Sequence, residues 1–251
     1  MMNAGAGLVF PPTCALCRST CTTPDGTIVL LCDACREDWR VAERMPGCPR
    51  CAGTIGPHEL SDGLCAACRR ELPRLIGTAR IGAYQGRLAD AVRHYKYDGR
   101  EDLHPMLAGG LVSAVRAAAW LSRIELITFV PTHWRRHLMK HFYAAERLAQ
   151  SLAKEFELPA APLLRRTRAG LHQVGLSPTA RRANVFGAFA MRRGVELHKA
   201  RILLVDDVKT TGATMEECAK VLRMAGAAEV YGAVLARVEW TPATQYYLNN
   251  M

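Results

Sequence analysis

The sequence predicts an α/β protein whose parallel sheet carries helices on both faces, preceded by a small cysteine-rich N-terminal part. Two observations predict this division. Nine of the ten cysteines lie before residue 69, and eight of them form C-x-x-C pairs. From residue 76 onward, short apolar runs alternate with segments of helical spacing, which is typical of a parallel sheet. We therefore expect a boundary near Pro73, with residues 1–75 and 76–251 as two domains.

The composition is globular, with 49% hydrophobic and 22% charged residues among 251. The longest weakly polar stretch, 107–121, is interrupted by Ser113 and Arg116, and the first residues lack the basic and apolar regions of a signal peptide. We expect no membrane insertion. The formal net charge of +10 falls on residues 76–251, which suits anionic partners such as phosphates or nucleic acid, although many enzymes are basic without binding either.

The paired cysteines predict zinc in a reducing compartment, and hence a cytoplasmic protein. Two C-x-x-C turns supply the four thiolates of one tetrahedral site, so four turns predict two zinc ions. Intervals of 14 residues between Cys17 and Cys32 and 13 between Cys51 and Cys65 indicate a repeated ribbon. We favour sequential sites, in which neighbouring C-x-x-C turns share one zinc ion, with a cross-braced arrangement as the alternative. We do not expect Cys21 to be a ligand. The predicted ligands are Cys14, Cys17, Cys32, Cys35, Cys48, Cys51, Cys65 and Cys68.

The N-terminal 75 residues contain few aliphatic runs, so they cannot bury enough apolar surface to fold without bound metal. Four thiolates leave no open position on the metal for substrate. The double zinc ribbon is therefore either a purely structural cap or a docking surface for nucleic acid or a partner protein.

The larger part reads as alternating strands and helices. Strands are predicted at 76–84, 124–130, 185–191, 202–205 and 230–236. Helices are predicted at 88–97, 103–121, 142–156 and 215–224.

The most informative segment is 201–215, RILLVDDVKTTGATM. A buried strand leads into Asp206 and Asp207, then into a turn of small residues and a helix. Backbone amides of this turn and of the helix start would point at one spot, which predicts a phosphate site. The adjacent acids would repel a phosphate unless they bind sugar hydroxyls, directly or through Mg²⁺. The predicted phosphate-binding residues are Lys209, Thr210, Thr211, Gly212, Ala213 and Thr214.

A plainer interpretation is a strand–turn–helix junction with an ordinary N-cap, where Asp and Thr are common. The order of apolar strand, acid pair, TTGxT and amphipathic helix favours the phosphate site.

The same segment resembles the phosphoribosyl pyrophosphate (PRPP) loop of type I phosphoribosyltransferases. Together with the four cysteine pairs, the chain resembles the ComF family, a double zinc ribbon followed by a phosphoribosyltransferase domain. The similarity includes HYKYDGR at 94–100, VPTHWRR at 130–136 and QVGLSPTARRANVFGAF at 173–189.

This resemblance implies specific roles in a phosphoribosyltransferase-like domain. Asp206 and Asp207 would hold the ribose together with Mg²⁺, and Arg135 or Arg136 would bind the pyrophosphate, with Lys96 a weaker candidate for that role. A segment near 165–184 would close over the ligand. The chain departs from its relatives at 140–144, where KHFYA replaces RGFNQ.

Two further clusters have competing interpretations. His133, His137 and His141 recur at four-residue intervals, but their basic neighbours favour an anion-facing rim over a metal site. Residues 165–201 hold nine Lys and Arg and one acid, which fits a solvated surface, a lid over PRPP or a track for single-stranded nucleic acid. Such a track needs aromatic residues for stacking. We expect Phe186 and Phe189 to lie in the core and take Trp134, Phe142 and Tyr143 as stacking candidates.

The resemblance leads to three hypotheses. One is a ComF-like protein that binds PRPP or a related phosphate and handles single-stranded DNA during natural competence, with other competence proteins as neighbours. A second is an active phosphoribosyltransferase of unknown acceptor, and a third is a PRPP sensor without turnover. In the enzyme, Asp206, Asp207, Arg135 and Arg136 would be the catalytic residues.

Overall fold

A four-stranded parallel sheet, formed in spatial order by 78–83, 229–237, 201–209 and 126–129, lies at the centre of the protein. The computed structural model describes residues 13–21, 30–56, 63–71, 73–131, 143–168 and 183–239. The strands are β1 (Thr78–Ala83), β2 (Leu126–Phe129), β3 (Leu164–Arg166), β4 (Phe189–Met191), β5 (Arg201–Lys209) and β6 (Glu229–Arg237). The helices are α1 (Asp33–Arg44), α2 (Ala66–Arg70), α3 (Gly86–Tyr97), α4 (His104–Arg116), α5 (Ala144–Phe156) and α6 (Ala213–Met224).

The two faces of the sheet bury alternate residues of its central strands. In β5, Leu203 and Val205 pack with the core that contains α3, α4 and α5, whereas Ile202 and Leu204 pack with the core that contains α6. This alternation follows from the two-residue period of a strand. Because both faces are covered, the central strands contain unbroken apolar runs, 202–205 in β5 and 230–236 in β6. The predicted class, a parallel sheet with helices on both faces, is confirmed.

The segment 185–191, predicted as one strand, does not join the four-stranded sheet. Only Phe189–Met191 is extended, and it pairs antiparallel with the short strand β3. This hairpin packs over α6 through Leu164 and Phe189. The sequence did not reveal β3, because its three residues, Leu-Arg-Arg, resemble a charged loop.

The predicted helix at 103–121 is shorter in the structure. A 3₁₀ turn at Glu101–Leu103 precedes α4, and a second one follows at Leu121–Arg123. Among the described helices, none combines the length and the apolar character required to cross a bilayer.

The N-terminal part packs against the edge strand β1. The Thr78 amide donates to Pro49 O at 2.9 Å, and the Thr78 hydroxyl donates to Arg50 O at 2.8 Å. A Cβ atom at Gly82 would lie 2.4 Å from Ala42 O, so only glycine permits this approach of α1 to the strand. The N-terminal part thus covers an edge that would otherwise expose unpaired backbone groups.

Candidate functional site

The turn between β5 and α6 lies at the carboxyl end of a central strand. Gly212 has φ +81°, in the left-handed region that glycine adopts readily, and precedes the first residue of the helix. The Ala213 amide donates to Thr211 Oγ1 at 3.3 Å. The amides of Thr214 and Met215 have no acceptor within the described residues, as expected for the first turn of a helix. Since Thr210, Thr211 and Thr214 are partly exposed, the turn can be reached from solvent.

Asp206 and Asp207 lie near the carboxyl end of β5, two residues before this turn. Lys96 of α3 contacts both oxygens of Asp207, at 2.8 Å to Oδ1 and 2.7 Å to Oδ2. Asp206 accepts from the Asp207 amide at 2.9 Å. Burial, and then the charge of Asp207, raise the pKa of Asp206 to about 7, although Lys96 opposes the shift. The ammonium group of Lys96 thus pairs with Asp207, and the two adjacent carboxyl groups form an acceptor-rich site suited to sugar hydroxyls or to a hard cation.

Lys209 points away from the turn surface. Its side chain is 3% exposed and runs beneath Gly212, where a Cβ atom would lie 2.8 Å from Lys209 Cε. The ammonium lies 3.4 Å from Thr78 Oγ1, and burial lowers its pKa. At this position the side chain supports the turn from below, so the surface of the turn consists of the backbone and threonine hydroxyls that follow Lys209.

The HYKYDGR segment connects this site with the N-terminal part. Lys96 reaches Asp207, which lies 111 positions away in the chain. Arg100 donates to Ala15 O at 2.9 Å and pairs with Asp102. The same segment therefore contacts both the acid pair and the first cysteine turn. Sequence reasoning gave Lys96 only a weak role near the pyrophosphate and missed its pairing with Asp207.

The pyrophosphate candidates Arg135 and Arg136 lie outside the described residues. So do the three histidines of the proposed basic rim and the stacking candidates Trp134 and Phe142. The described residues are interrupted after Pro131, which lies just after β2, and resume at Tyr143. Because β2 pairs in parallel with β5, it ends at the same edge of the sheet as the acid pair.

The eight predicted cysteine ligands form two groups in sequential order. In each group the four Sγ atoms lie within 4.8 Å of one another, which supports sequential over cross-braced pairing. The Sγ atoms of Cys17 and Cys32 are 3.6 Å apart, and those of Cys51 and Cys65 are 3.5 Å apart. Four thiolates at ~2.3 Å from a zinc ion would be about 3.8 Å apart. The two groups therefore fit structural zinc, and the predicted double ribbon is supported.

The repeat that the spacing predicted is visible in the backbone. The backbone amide of Cys14 donates to Ser19 O, and the backbone amide of Cys48 donates to Gly53 O, both at 2.7 Å. The residues after the second cysteine of each turn, Arg18 and Ala52, have φ of 61° and 62°. The third cysteine of each group is the N-cap of a helix, α1 in the first ribbon and α2 in the second.

The prediction that Phe186 lies in the core is wrong. Phe189 is 5% exposed as predicted, but Phe186 is 65% exposed. Its ring is flanked by Lys220, whose Nζ lies 4.8 Å from the ring centroid. The apolar run around these residues suggested a longer strand, whereas the extended segment starts only at Phe189.

These features define a class: a parallel α/β domain with an acid pair and a strand–turn–helix junction at the carboxyl end of a central strand, joined to two four-cysteine ribbons. No model of a known protein family matches the chain. A relative from Salmonella typhi, the DNA utilization protein YhgH, is 30% identical over 228 residues, which cover 89% of this chain and 96% of the relative. Competence protein F of Haemophilus influenzae is 29% identical, with 82% of this chain and 90% of the relative covered.

Competence protein ComFC of Streptococcus pneumoniae is 28% identical, with 80% of this chain and 84% of the relative covered. The chain belongs to the ComF family, to which these relatives belong. Similar solved structures include a glutamine PRPP amidotransferase from B. subtilis, with 23% identity, a TM-score of 0.38, and 56% of this chain and 30% of that one covered. A purine phosphoribosyltransferase from Pyrococcus horikoshii has 19% identity and a TM-score of 0.35, with 55% of this chain and 77% of that one covered.

Proposed function

We propose that this protein binds PRPP, or a closely related phosphorylated ribose, at the turn between β5 and α6. The observation that carries the proposal is a half-buried acid pair in β5, followed within one short turn by the unpaired amides at the start of α6. Asp206 and Asp207 would accept hydrogen bonds from ribose hydroxyls, and residues 209–214 would hold the 5-phosphate through amides and hydroxyls. Arg135 and Arg136 would bind the pyrophosphate.

The acid pair also fits Mg²⁺. Asp206 and Asp207 provide oxygen ligands, and Lys96 balances only one of the two charges. When bound, the ion would neutralise charge on the pyrophosphate. The protein itself would hold the ribose and the 5-phosphate in a fixed relation to each other, with the acids and the turn belonging to one continuous strand–turn–helix unit.

The cellular role that we propose is the handling of single-stranded DNA during natural competence, in the cytoplasm and beside other competence proteins. The names of the relatives, competence protein F and DNA utilization protein, support this role. The basic excess of residues 76–251 supports an anionic partner. Cysteines paired for metal rather than joined as disulfides are typical of a reducing compartment.

Transferase activity remains the second candidate, because the acid pair has the chemistry that such a reaction needs. A phosphoribosyltransferase breaks the bond between the ribose anomeric carbon and pyrophosphate, and a nucleophile takes the vacated position. Positive charge develops on the ribose in the transition state, and nearby carboxylates would stabilise it. A sensor would use the same contacts without breaking the bond.

The test measures both binding and turnover on the full zinc-loaded chain. We expect Mg²⁺-dependent PRPP binding by titration calorimetry. Pyrophosphate release, measured with a panel of nucleobases, then separates the enzyme from the sensor: release with any acceptor assigns a transferase, and binding without release assigns a sensor. Absence of PRPP binding at millimolar ligand would contradict the proposal.

A further inference from the structure

Three arginines of the β3–β4 hairpin line an open cavity of about 630 Å³. They are Arg165, Arg192 and Arg193, called here the hairpin arginines. Arg165 lies in β3 opposite Ala190, and the other two directly follow β4. All three are exposed, so the cavity presents its guanidinium groups to solvent.

The hairpin arginines have no carboxylate partner within the described residues. Within the part of the chain that the structure describes, their one side-chain hydrogen bond runs from Arg192 Nε to Leu164 O at 3.4 Å. Some other arginines of the protein do pair with acids, as Arg123 does with Glu229 at 2.5 Å and Arg201 with Glu125 at 3.0 Å. Three unbalanced cations around one cavity attract anions, and guanidinium groups match phosphate oxygens in geometry.

The form of the cavity favours an extended polyanion over a small one. Its lining is exposed, so no buried donor set encloses a single phosphate. The exposed ring of Phe186 lies toward the other end of the same hairpin, where Arg168 donates to Phe186 O and Thr167 donates to Ala188 O. The four residue steps from Leu164 to Arg168 would span roughly 13 Å in an extended chain.

We propose that this hairpin binds single-stranded nucleic acid, with the hairpin arginines on backbone phosphates and Phe186 stacked on a base. A cationic track combined with an exposed aromatic ring is the general solution for single strands, because every base has a face that can stack. This assignment rests on the proposed role in DNA handling and gives that role a location away from the acid pair.

The experiment compares two triple variants of the full chain. One is Arg165→Gln, Arg192→Gln and Arg193→Gln. The matched control neutralises three arginines that are paired with acids, Arg116→Gln, Arg123→Gln and Arg147→Gln, so the net charge changes equally. Binding of a fluorescent oligothymidylate is measured by anisotropy at several salt concentrations. We expect the hairpin variant to reduce the slope of log K against log salt by about 2, since each single-strand phosphate contributes about 0.7.

The control should change that slope much less and should bind PRPP as the wild type does. PRPP binding should also be retained in the double variant Arg192→Gln and Arg193→Gln, which leaves the segment near 165–184 unchanged. An equal effect of the two triple variants on the slope, or loss of PRPP binding in this double variant, would overturn the assignment. If the wild type binds no oligonucleotide, the proposed DNA role fails as well. If the wild type binds and the hairpin variant is unchanged, only the location fails.

A second variant tests the stacking contact on its own. Phe186→Ala should weaken oligothymidylate binding about 5-fold or more without changing the salt slope, whereas Phe186→Trp should retain binding. Phe186 is exposed, so the thermal midpoint should stay close to that of the wild type. Unchanged affinity in Phe186→Ala would remove Phe186 from the interface.

Discussion

Asp206 and Asp207 are adjacent in sequence but differ in their surroundings. Lys96 pairs with Asp207, whereas Asp206 accepts a hydrogen bond from the Asp207 amide. Burial and the nearby charge raise the pKa of Asp206 to about 7. The sequence indicated the acid pair through its position between an apolar strand and a turn. It could not indicate the partner of Asp207, because only the fold brings Lys96 to it.

The first prediction concerns stability and pH. The pKa of Asp206 in the folded protein lies above its ordinary value of 3.8, so folding favours the protonated form. The associated stability is present below about pH 4 and is lost as the pH rises through 7. Asp206→Asn should therefore leave the free energy of unfolding nearly unchanged at pH 4 and raise it by roughly 1–3 kcal/mol at pH 8. Urea denaturation at both values measures this.

Asp207→Asn is the control for that prediction. It leaves the ammonium of Lys96 without its carboxylate, so it should destabilise the protein at pH 8. A difference between Asp206→Asn and the wild type that stays constant from pH 4 to pH 8 would contradict the assigned surroundings of Asp206.

At the scale of elements, apolar patterns predicted the strands and helices of the sheet well but not their ends. The strand predicted at 202–205 extends over Arg201–Lys209, because the polar residues after Val205 still pair with β6, as Asp206 does with Val234. Hydrophobic periodicity cannot detect a strand that continues through an acid pair. The cysteine spacing, in contrast, predicted the repeated ribbons and their ligands, since metal geometry tightly restricts which residues can share an ion.

The ribbons carry the second prediction. Cys51→Ser should reduce bound zinc from about two ions to about one per chain, because a four-thiolate site loses one of its ligands. Cys21 is also a cysteine of the N-terminal part, but it lies outside both four-cysteine groups, so Cys21→Ser should retain both ions. Metal analysis of the purified variants measures the content. Loss of zinc in Cys21→Ser, with zinc retained in Cys51→Ser, would contradict the assignment of the eight zinc ligands.

At the scale of the whole molecule, the two predicted domains share apolar surface. Leu16, Trp39 and Ala42 of the first ribbon belong to the same buried cluster as Ile81 and Leu88 of the sheet domain. Arg80 of β1 reaches Thr54 Oγ1 of the second ribbon at 3.1 Å and pairs with Glu239 at 3.3 Å. The sequence changes in composition near Pro73, and this change predicted the domain boundary. Composition does not show whether the residues on the two sides of such a boundary pack against each other.

This packing gives the third prediction. Removal of zinc by a strong chelator should lower the thermal midpoint of the whole chain in one transition, because unfolding of the ribbon exposes the apolar cluster of β1 and α3. Calorimetry of the loaded and stripped protein measures it. A stripped protein whose remaining transition keeps the original midpoint would show that residues 76–251 are stable without the ribbon.

The most direct test of phosphoribosyl binding at the acid pair is calorimetric titration of PRPP with Mg²⁺. The full wild-type chain is compared with the double variant Asp206→Asn and Asp207→Asn. Hydrogen bonds to charged groups are worth about 1.5–3 kcal/mol each, so we expect PRPP affinity to fall at least about tenfold. Equal PRPP affinity in the wild type and in a folded double variant would contradict the site.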